Sequence, residues 1–350
     1  MTWLFGDGIR RSALNSRIVR LKNTVSPALL VELKRFCTLW PQKLGALDLA
    51  EVESLLGIPR VVLIPVFLRA VKAGIFNLEF RISCQGCKGE GPAPRLSDVH
   101  PEMVCPACGT HNHPELDGSV RAVFCLHPSL GKVKTQKRKN LDSSSSVVSS
   151  GLPAIEVINT QEFREFFEAE QPLPGEFVRV KKMCFLFTDI AGSTATYERL
   201  GDDAAFRLVR EHFSLLFSTI KQHEGVVIKT IGDSVLASFL SSANGLACAR
   251  DLQLRFAQFN QRSDIQGSCR VRVGVHAGPC VGVTLNQRLD FFGSTVNIAA
   301  RVQAVAGPGQ LCVTKKTAIP LLSLLSGASL KRSSVELKGI SRPVPVILAE

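Results

Sequence analysis

From residue 183 onward the sequence alternates short apolar runs with longer amphipathic ones, and few folds accept that order. Strand patterning is expected at 183–188, 225–231, 234–239, 270–276, 280–284, 311–314, 334–338 and 343–348, and helix patterning at 194–222, 242–262 and 294–305. Strands that mostly return beside their neighbours, with long helices between them, predict an α+β sandwich. Such a sandwich is one mostly antiparallel sheet with helices packed on it.

The first half of the chain reads differently. Residues 24–76 carry helical patterning: the segment from Leu47 to Leu56 stops at Gly57, and Pro59 opens a second helix that stops near Gly74. Phe76 to Ile82 then alternates as a strand. Two helices at a short Gly-containing turn, followed by a strand, predict a small winged-helix-like domain; a plain helical bundle reads almost the same way. Residues 132–158 are expected to be a disordered linker, with a basic run (Lys132, Lys134, Lys137, Arg138, Lys139) and serines 143–146. A connecting helix is expected over 159–176, capped by Thr160 and carrying Phe163, Phe166 and Phe167 on one face as a pairing stripe.

Eleven cysteines raise the question of redox compartment, but seven lie singly in apolar segments, as core residues do. The other four form Cys84-x2-Cys87 and Cys105-x2-Cys108 with seventeen residues between the pairs. That is zinc-ribbon spacing, in which each pair clips one half of a tetrahedral site. Four protein ligands would close the coordination sphere, so the Zn2+ would be structural; a redox disulfide pair is the rival reading. His111 and His113 are expected to be surface residues. The ribbon and the strand after it are assigned to 83–131, behind a helical region at 1–82.

Net charge is +12, with 20 Lys/Arg against 12 Asp/Glu in residues 1–150 and 22 against 18 in the remainder. The excess fits a solvated face plus a site for a polyanionic nucleotide; nucleic acid contact through the N-terminal region is the secondary reading. The apolar stretch Val61 to Phe76 is interrupted by Pro65, Arg69 and Lys72, so no membrane association is expected. No basic segment precedes an apolar one at the N-terminus, which predicts a cytoplasmic protein.

Three segments of the second half place polar residues where nucleotide chemistry needs them. Asp189 follows the apolar run Met183 to Phe187 and enters Ile190-Ala191-Gly192-Ser193-Thr194, a small-residue turn opening a helix whose backbone N–H groups can cradle phosphate. Lys229 and Asp233 share Lys229-Thr230-Ile231-Gly232-Asp233, a hairpin turn. Asp290 precedes Asn297 and Arg301, which lie one helical turn apart on one face. Taken singly each is a common turn or surface pattern. In this order, together, they resemble the catalytic core of the class III nucleotidyl cyclases over about residues 177–350.

The resemblance implies a class III cyclase catalytic domain with a ferredoxin-like βαββαβ core. It implies that Asp189 and Asp233, with the Ile190 carbonyl, hold two Mg2+ or Mn2+ ions per site, and that Lys229 and Asp290 read the purine. Lys would donate to an adenine ring nitrogen and Asp accept from the exocyclic amine, whereas guanine presents a carbonyl oxygen there. Family members specific for GTP typically carry Glu and Cys or similar at these places. Asn297 would orient the ribose and Arg301 stabilise charge on the α-phosphate; Gly192, Ser193, Thr194 and Lys338 would contact phosphates. Because the family draws the two halves of each site from different chains, a chain holding both halves implies a homodimer with two shared sites. The implied reaction is ATP to 3′,5′-cyclic AMP and pyrophosphate. Where many members have an aromatic after the glycine, this chain has Ser193, as bacterial relatives do.

Overall fold

The computed structural model describes residues 9–39, 44, 46–131, 151–168, 170–262 and 269–350. The chain forms two compact units, one of residues 1–180 with 282–289, the other of 181–281 with 290–350.

The first unit begins with helices α1 (Arg11–Val19), α2 (Pro27–Leu39), α3 (Leu49–Leu56) and α4 (Arg60–Lys72). Asp48 caps α3 through the Ala50 N–H, Gly57 ends it at φ +67°, and α4 leaves at a 115° bend. Strands β1 (Phe76–Ser83), β2 (Glu90–Ala93), β5 (Val120–Leu126) and β6 (Leu152–Pro153) make one sheet in the order β2-β1-β5-β6. Two short strands, β3 (Met103–Val104) and β4 (His111–Asn112), pair apart from it. Helices α5 (Ala154–Ile158) and α6 (Gln161–Phe166) follow. The core is aromatic: Phe67 of α4 stacks on Phe76 at 5.1 Å and meets Phe124 edge-on at 5.5 Å.

Four expectations change here. A winged helix presents its second helix to the ligand, yet α4 buries Leu63, Ile64, Val66, Phe67, Leu68 and Ala70. Two of its three cations are also engaged, Arg69 with Glu162 (2.8 Å) and Arg60 with Glu156 (3.5 Å), while Lys72 is exposed at its end. The expected boundary between 82 and 83 falls inside one sheet, because β1 pairs with β5 from Phe76↔Leu126 to Ile82↔Val120. The connecting helix stops at Phe166, ahead of Pro172 and Pro174. Its Thr160 cap is present, accepting from the Phe163 N–H at 3.2 Å, but Phe163 is buried within its own unit. Residues 132–150 of the expected linker lie outside the described residues, whereas 151–158 form β6 and α5 with Leu152, Ile155, Val157 and Ile158 buried.

The second unit is built on β7 (Phe177–Ile190), α7 (Ser193–Leu200), α8 (Asp202–Gln222), β8 (Val226–Ile231), β9 (Ser234–Phe239), α9 (Ser242–Phe259) and β10 (Val271–Leu285). After these come β11 (Arg288–Phe292), α10 (Ser294–Val305), β12 (Leu311–Thr314), α11 (Lys315–Ala318), β13 (Leu330–Val335) and β14 (Val344–Ala349). The sheet order is β13-β14-β12-β10-β7-β9-β8, with β11 beside β10. Four consecutive neighbours, β10-β7-β9-β8, form the βαββαβ core with α8 and α9 as its crossovers. β7 runs antiparallel to β9, and β9 antiparallel to β8, while β12 joins β10 in parallel. A continuous core of Leu186, Leu216, Ile220, Val235, Phe239, Leu246, Leu252 and Val273 lies between helices and sheet.

The expected helix at 194–222 is two helices, broken where Gly201 takes φ +73°. The strands expected at 270–276 and 280–284 are one, β10 continuing through Gly278-Pro279. The strand expected at 334–338 is β13, and residues 336–340 turn instead. Among the described residues, no single helix is long and apolar enough to cross a membrane.

Candidate functional site

Three loci in the second unit collect the polar residues singled out in the sequence. The first is where β7 ends beside the β8–β9 hairpin. The antiparallel register Thr188↔Val235 puts Asp189 next to Ser234, whose hydroxyl donates to Asp189 Oδ1 at 2.8 Å. Asp233 sits in the same hairpin turn, made possible by Gly232 at φ +63°. Ile190 is buried, and Gly192 at φ +69° turns the chain into α7, so Ser193 and Thr194 form the first positions of that helix.

Both oxygens of Asp189 are engaged, the second by the guanidinium of Arg272 on β10. Asp233 differs: its Oδ2 is buried and has no hydrogen-bond partner among the described residues. A desolvated carboxylate oxygen without a donor costs several times what a paired one does, and a cation removes that cost. The two carboxylates with an orphaned oxygen thus fit a hard divalent ion. The phenol oxygen of Tyr197, the chain's one tyrosine, is also buried with no hydrogen-bond partner among the described residues. Burial, and then the charge of Asp233, push it up to about 12.

The second locus joins β8 to β11. Lys229 Nζ donates to Asp290 Oδ2 at 2.5 Å, and Asp290 Oδ1 accepts from the Phe291 N–H at 2.8 Å. Asp290 is buried and Lys229 is exposed, so the pair presents its ammonium end outward. A register shift between Val227 and Lys229 in the β8–β9 pairing adjusts where Lys229 emerges.

The third locus is α10. This helix lies against β10 because Gly274 leaves room: a Cβ there would meet the backbone nitrogen of Gln303 at 2.3 Å. Asn297 is exposed on α10, and Arg301, four residues on, reaches the Lys338-Gly339 turn, its guanidinium 3.6 Å from where a Cβ on Gly339 would stand. Exposed Lys338 and half-buried Arg301 are therefore neighbours, the looser sequence assignment and the firmer one on the same patch.

In the first unit the four cysteines converge. Their sulfur atoms all lie within 4.8 Å of one another, with Cys84–Cys108 at 3.6 Å and Cys87–Cys105 at 3.8 Å. A tetrahedron with Zn–S bonds of about 2.3 Å has edges of about 3.8 Å, whereas a disulfide needs about 2.05 Å. The donor set fits Zn2+. Hydrogen bonds from Thr110 hold the Cys108 thiol down to about 6, favouring the thiolate a metal requires. Asn112, buried, donates to Cys84 Sγ (3.6 Å) and to the Thr110 carbonyl (2.9 Å), an outer-shell contact that fixes the knuckles. His111 turns to Glu102 (2.9 Å) and His113 to the Pro101 carbonyl (3.4 Å), away from the sulfurs.

Sequence reading missed Arg272, Ser234 and Tyr197. Arg272 left one trace: it interrupts the apolar run Val271-Arg272-Val273 at the start of a strand whose first eight residues are otherwise buried. Ser234 and Tyr197 left none.

Comparison with known proteins then bears on the second unit. Residues 176–348 match the profile described as the adenylate and guanylate cyclase catalytic domain. That part of the chain belongs to this family. Residues 12–149 match a family of unknown function, DUF5939. Guanylate cyclase D of Mus musculus is 30% identical over 253 residues, covering 61% of this chain and 23% of its own length. Putative adenylate cyclase 3 of Rhizobium meliloti (strain 1021) is 31% identical over 139 residues, covering 40% of this chain and 23% of its own length. The chain thus spans under a quarter of either relative. A crystal structure described as an adenylate/guanylate cyclase/hydrolase from Silicibacter pomeroyi is 26% identical, covers 50% of this chain and 98% of its own, and has a TM-score of 0.43. The cyclase domain has relatives named for both purines, so the choice of base rests on the site itself.

Proposed function

We propose that the protein is an adenylate cyclase, converting ATP to 3′,5′-cyclic AMP and pyrophosphate, and that the Lys229–Asp290 pair reads adenine. The observation that carries this reading is that pair. A buried carboxylate with its remaining lone pairs free accepts a hydrogen bond from an exocyclic amine and opposes a carbonyl oxygen. The neighbouring ammonium donates to a ring nitrogen. Adenine offers the amine and guanine the carbonyl, so the pair favours ATP by leaving guanine with an unmet acceptor.

Asp189, Asp233 and the Ile190 carbonyl would hold Mg2+ or Mn2+, supported by the orphaned Asp233 oxygen. Bound there, divalent ions would supply Lewis acidity toward the ribose 3′-hydroxyl and positive charge to offset the triphosphate. The chain's own groups then divide the remaining work. Asn297 orients the ribose from the exposed side of α10. Arg301 meets charge developing at the α-phosphate, and Lys338 adjoins it for the terminal phosphates. The helix start at Gly192, Ser193 and Thr194 offers backbone donors to phosphate. Asp189 and Asp233 would act in one site and the purine-reading, ribose and Arg301 groups in the other site of a head-to-tail homodimer. The four cysteines would hold one structural Zn2+.

Purified protein assayed with ATP and with GTP in Mn2+, with cyclic product separated by chromatography, tests this. Cyclic AMP formed faster than cyclic GMP is the expected result; the reverse order overturns the base assignment, and absence of both products overturns the cyclase reading.

A further inference from the structure

One expected metal carboxylate, Asp189, stands at the end of strand β7 and the other, Asp233, on the β8–β9 turn, and both need something rigid behind them. Here one four-residue segment supports both. The Arg270 carbonyl accepts from the Ala191 N–H at 2.9 Å, tying down the turn after Asp189, and Arg272 pairs with the Asp189 carboxylate itself. Cys269 serves the other turn through a third residue. Its thiol lies 3.3 Å from Nδ1 of His212 on α8, and His212 Nε2 lies 3.2 Å from the backbone carbonyl of Asp233.

A carbonyl only accepts, so Nε2 carries the proton; in the neutral ring Nδ1 is then the acceptor for the Cys269 thiol. The ring is fully buried, with Phe213 at 5.2 Å and Phe256 at 5.4 Å between ring centroids. Cys269 is itself fixed at both backbone ends by one side chain: Asn260 Oδ1 accepts from its N–H at 2.7 Å, and Asn260 Nδ2 donates to its carbonyl at 3.1 Å.

We infer that His212, held by Cys269, is a positioning residue that fixes the Asp233 turn relative to Asp189, and so sets the spacing of the two carboxylates that take the metal. The inference rests on the cyclase reading of those carboxylates. His212 reaches only the Asp233 backbone; its action is through the turn.

The test uses the full-length protein with Mn2+ binding followed by electron paramagnetic resonance of the free ion, alongside turnover and the thermal midpoint. His212→Leu is expected to weaken Mn2+ binding and raise the metal concentration needed for half-maximal activity, each by about tenfold or more, as loss of outer-shell partners does. His212→Gln keeps an N–H donor for the Asp233 carbonyl and should recover most of the Mn2+ affinity. Folded His212→Leu protein that binds Mn2+ as the wild type does, or His212→Gln as weak as His212→Leu, overturns the proposal. Should His212→Leu fail to fold, Cys269→Ala carries the test: freeing the ring should weaken Mn2+ binding, and unaltered affinity overturns it. Wild-type protein that binds Mn2+ yet forms no cyclic nucleotide would defeat the cyclase reading, and leave the strut's effect on Mn2+ binding to be judged from the variants.

Discussion

Replacing Asp290 by Asn changes one atom of the base-reading pair and tests the adenine assignment directly. In the folded chain Asp290 accepts twice, from Lys229 Nζ at 2.5 Å and from the Phe291 N–H at 2.8 Å. An asparagine can keep the second bond through its carbonyl oxygen, so the buried Phe291 amide stays satisfied. Alanine would leave that amide unpaired, at a cost of about 1–3 kcal/mol, and would confuse folding with recognition. What Asn loses is the ion pair. Lys229 is 41% exposed in its side chain while Asp290 is 10%, so water screens one partner and the loss of stability should be about 1 kcal/mol. For a domain of this size that is a fall of about 2–4 °C in thermal midpoint.

The effect on selectivity should be larger than the effect on stability. The Asn amide presents a donor where the carboxylate presented only acceptors, so a guanine carbonyl oxygen gains a partner and adenine's amine loses a charged one. A hydrogen bond involving a charged group is worth about 1.5–3 kcal/mol, and each 1.4 kcal/mol is about tenfold. The ratio of kcat/KM for ATP to that for GTP should therefore fall by about 10- to 100-fold in Asp290→Asn. Steady-state assays of both nucleotides at saturating Mn2+ measure it. If both values of kcat/KM fell equally, leaving the ratio unchanged, Asp290 would be holding the fold or the metal and would not be reading the base.

Arg301→Ala should lower kcat by about 10³-fold or more with the thermal midpoint nearly unchanged, since Arg301 is half-exposed. Mixed with Asp189→Ala protein, itself inactive, it should regain activity in a shared-site dimer; mixtures that stay inactive refute shared sites. Cys84→Ser should lower bound zinc measured by plasma mass spectrometry and make residues 84–112 susceptible to limited proteolysis, while unchanged zinc content would place the metal elsewhere. Burial holds the His276 imidazole down to about 4, where its Nδ1 bonds Thr314 Oγ1 at 2.7 Å. Below about pH 6.5 the unfolded chain takes a proton that the folded one refuses, so stability should fall as pH drops from about 6.5 towards 4, by on the order of 3 kcal/mol from this residue. Urea midpoints across that range should show a shallower acid loss in His276→Gln; an identical loss refutes the assignment.

The parts legible in the sequence are those where one chain segment decides the outcome. The sequence expectation for helix α10, 294–305, matches its observed bounds, and the pairing of Asp290 with Lys229 was what the resemblance to the class III cyclases implied. The convergence of four cysteines was legible from their spacing, as two short knuckles. Illegible features depend on register between distant segments. Arg272 meets Asp189 only because β10 lies beside β7, and His212 meets Asp233 only because α8 packs under the β8–β9 turn. A sequence window holds neither pairing. The winged-helix expectation failed in a related way: local pattern correctly gave α3, α4 and β1, but whether α4 faces ligand or core depends on β5 and α6, which arrive 50 to 90 residues later and cover it. The residues proposed to perform chemistry were therefore readable one segment at a time, while those that hold them in place belong to the fold. That ordering has a consequence for the metal site. Asp189 ends β7 and Asp233 stands on the β8–β9 turn, both backed by the 269–272 segment, so on the proposed reading a change in that segment should alter metal binding while both carboxylates stay in place.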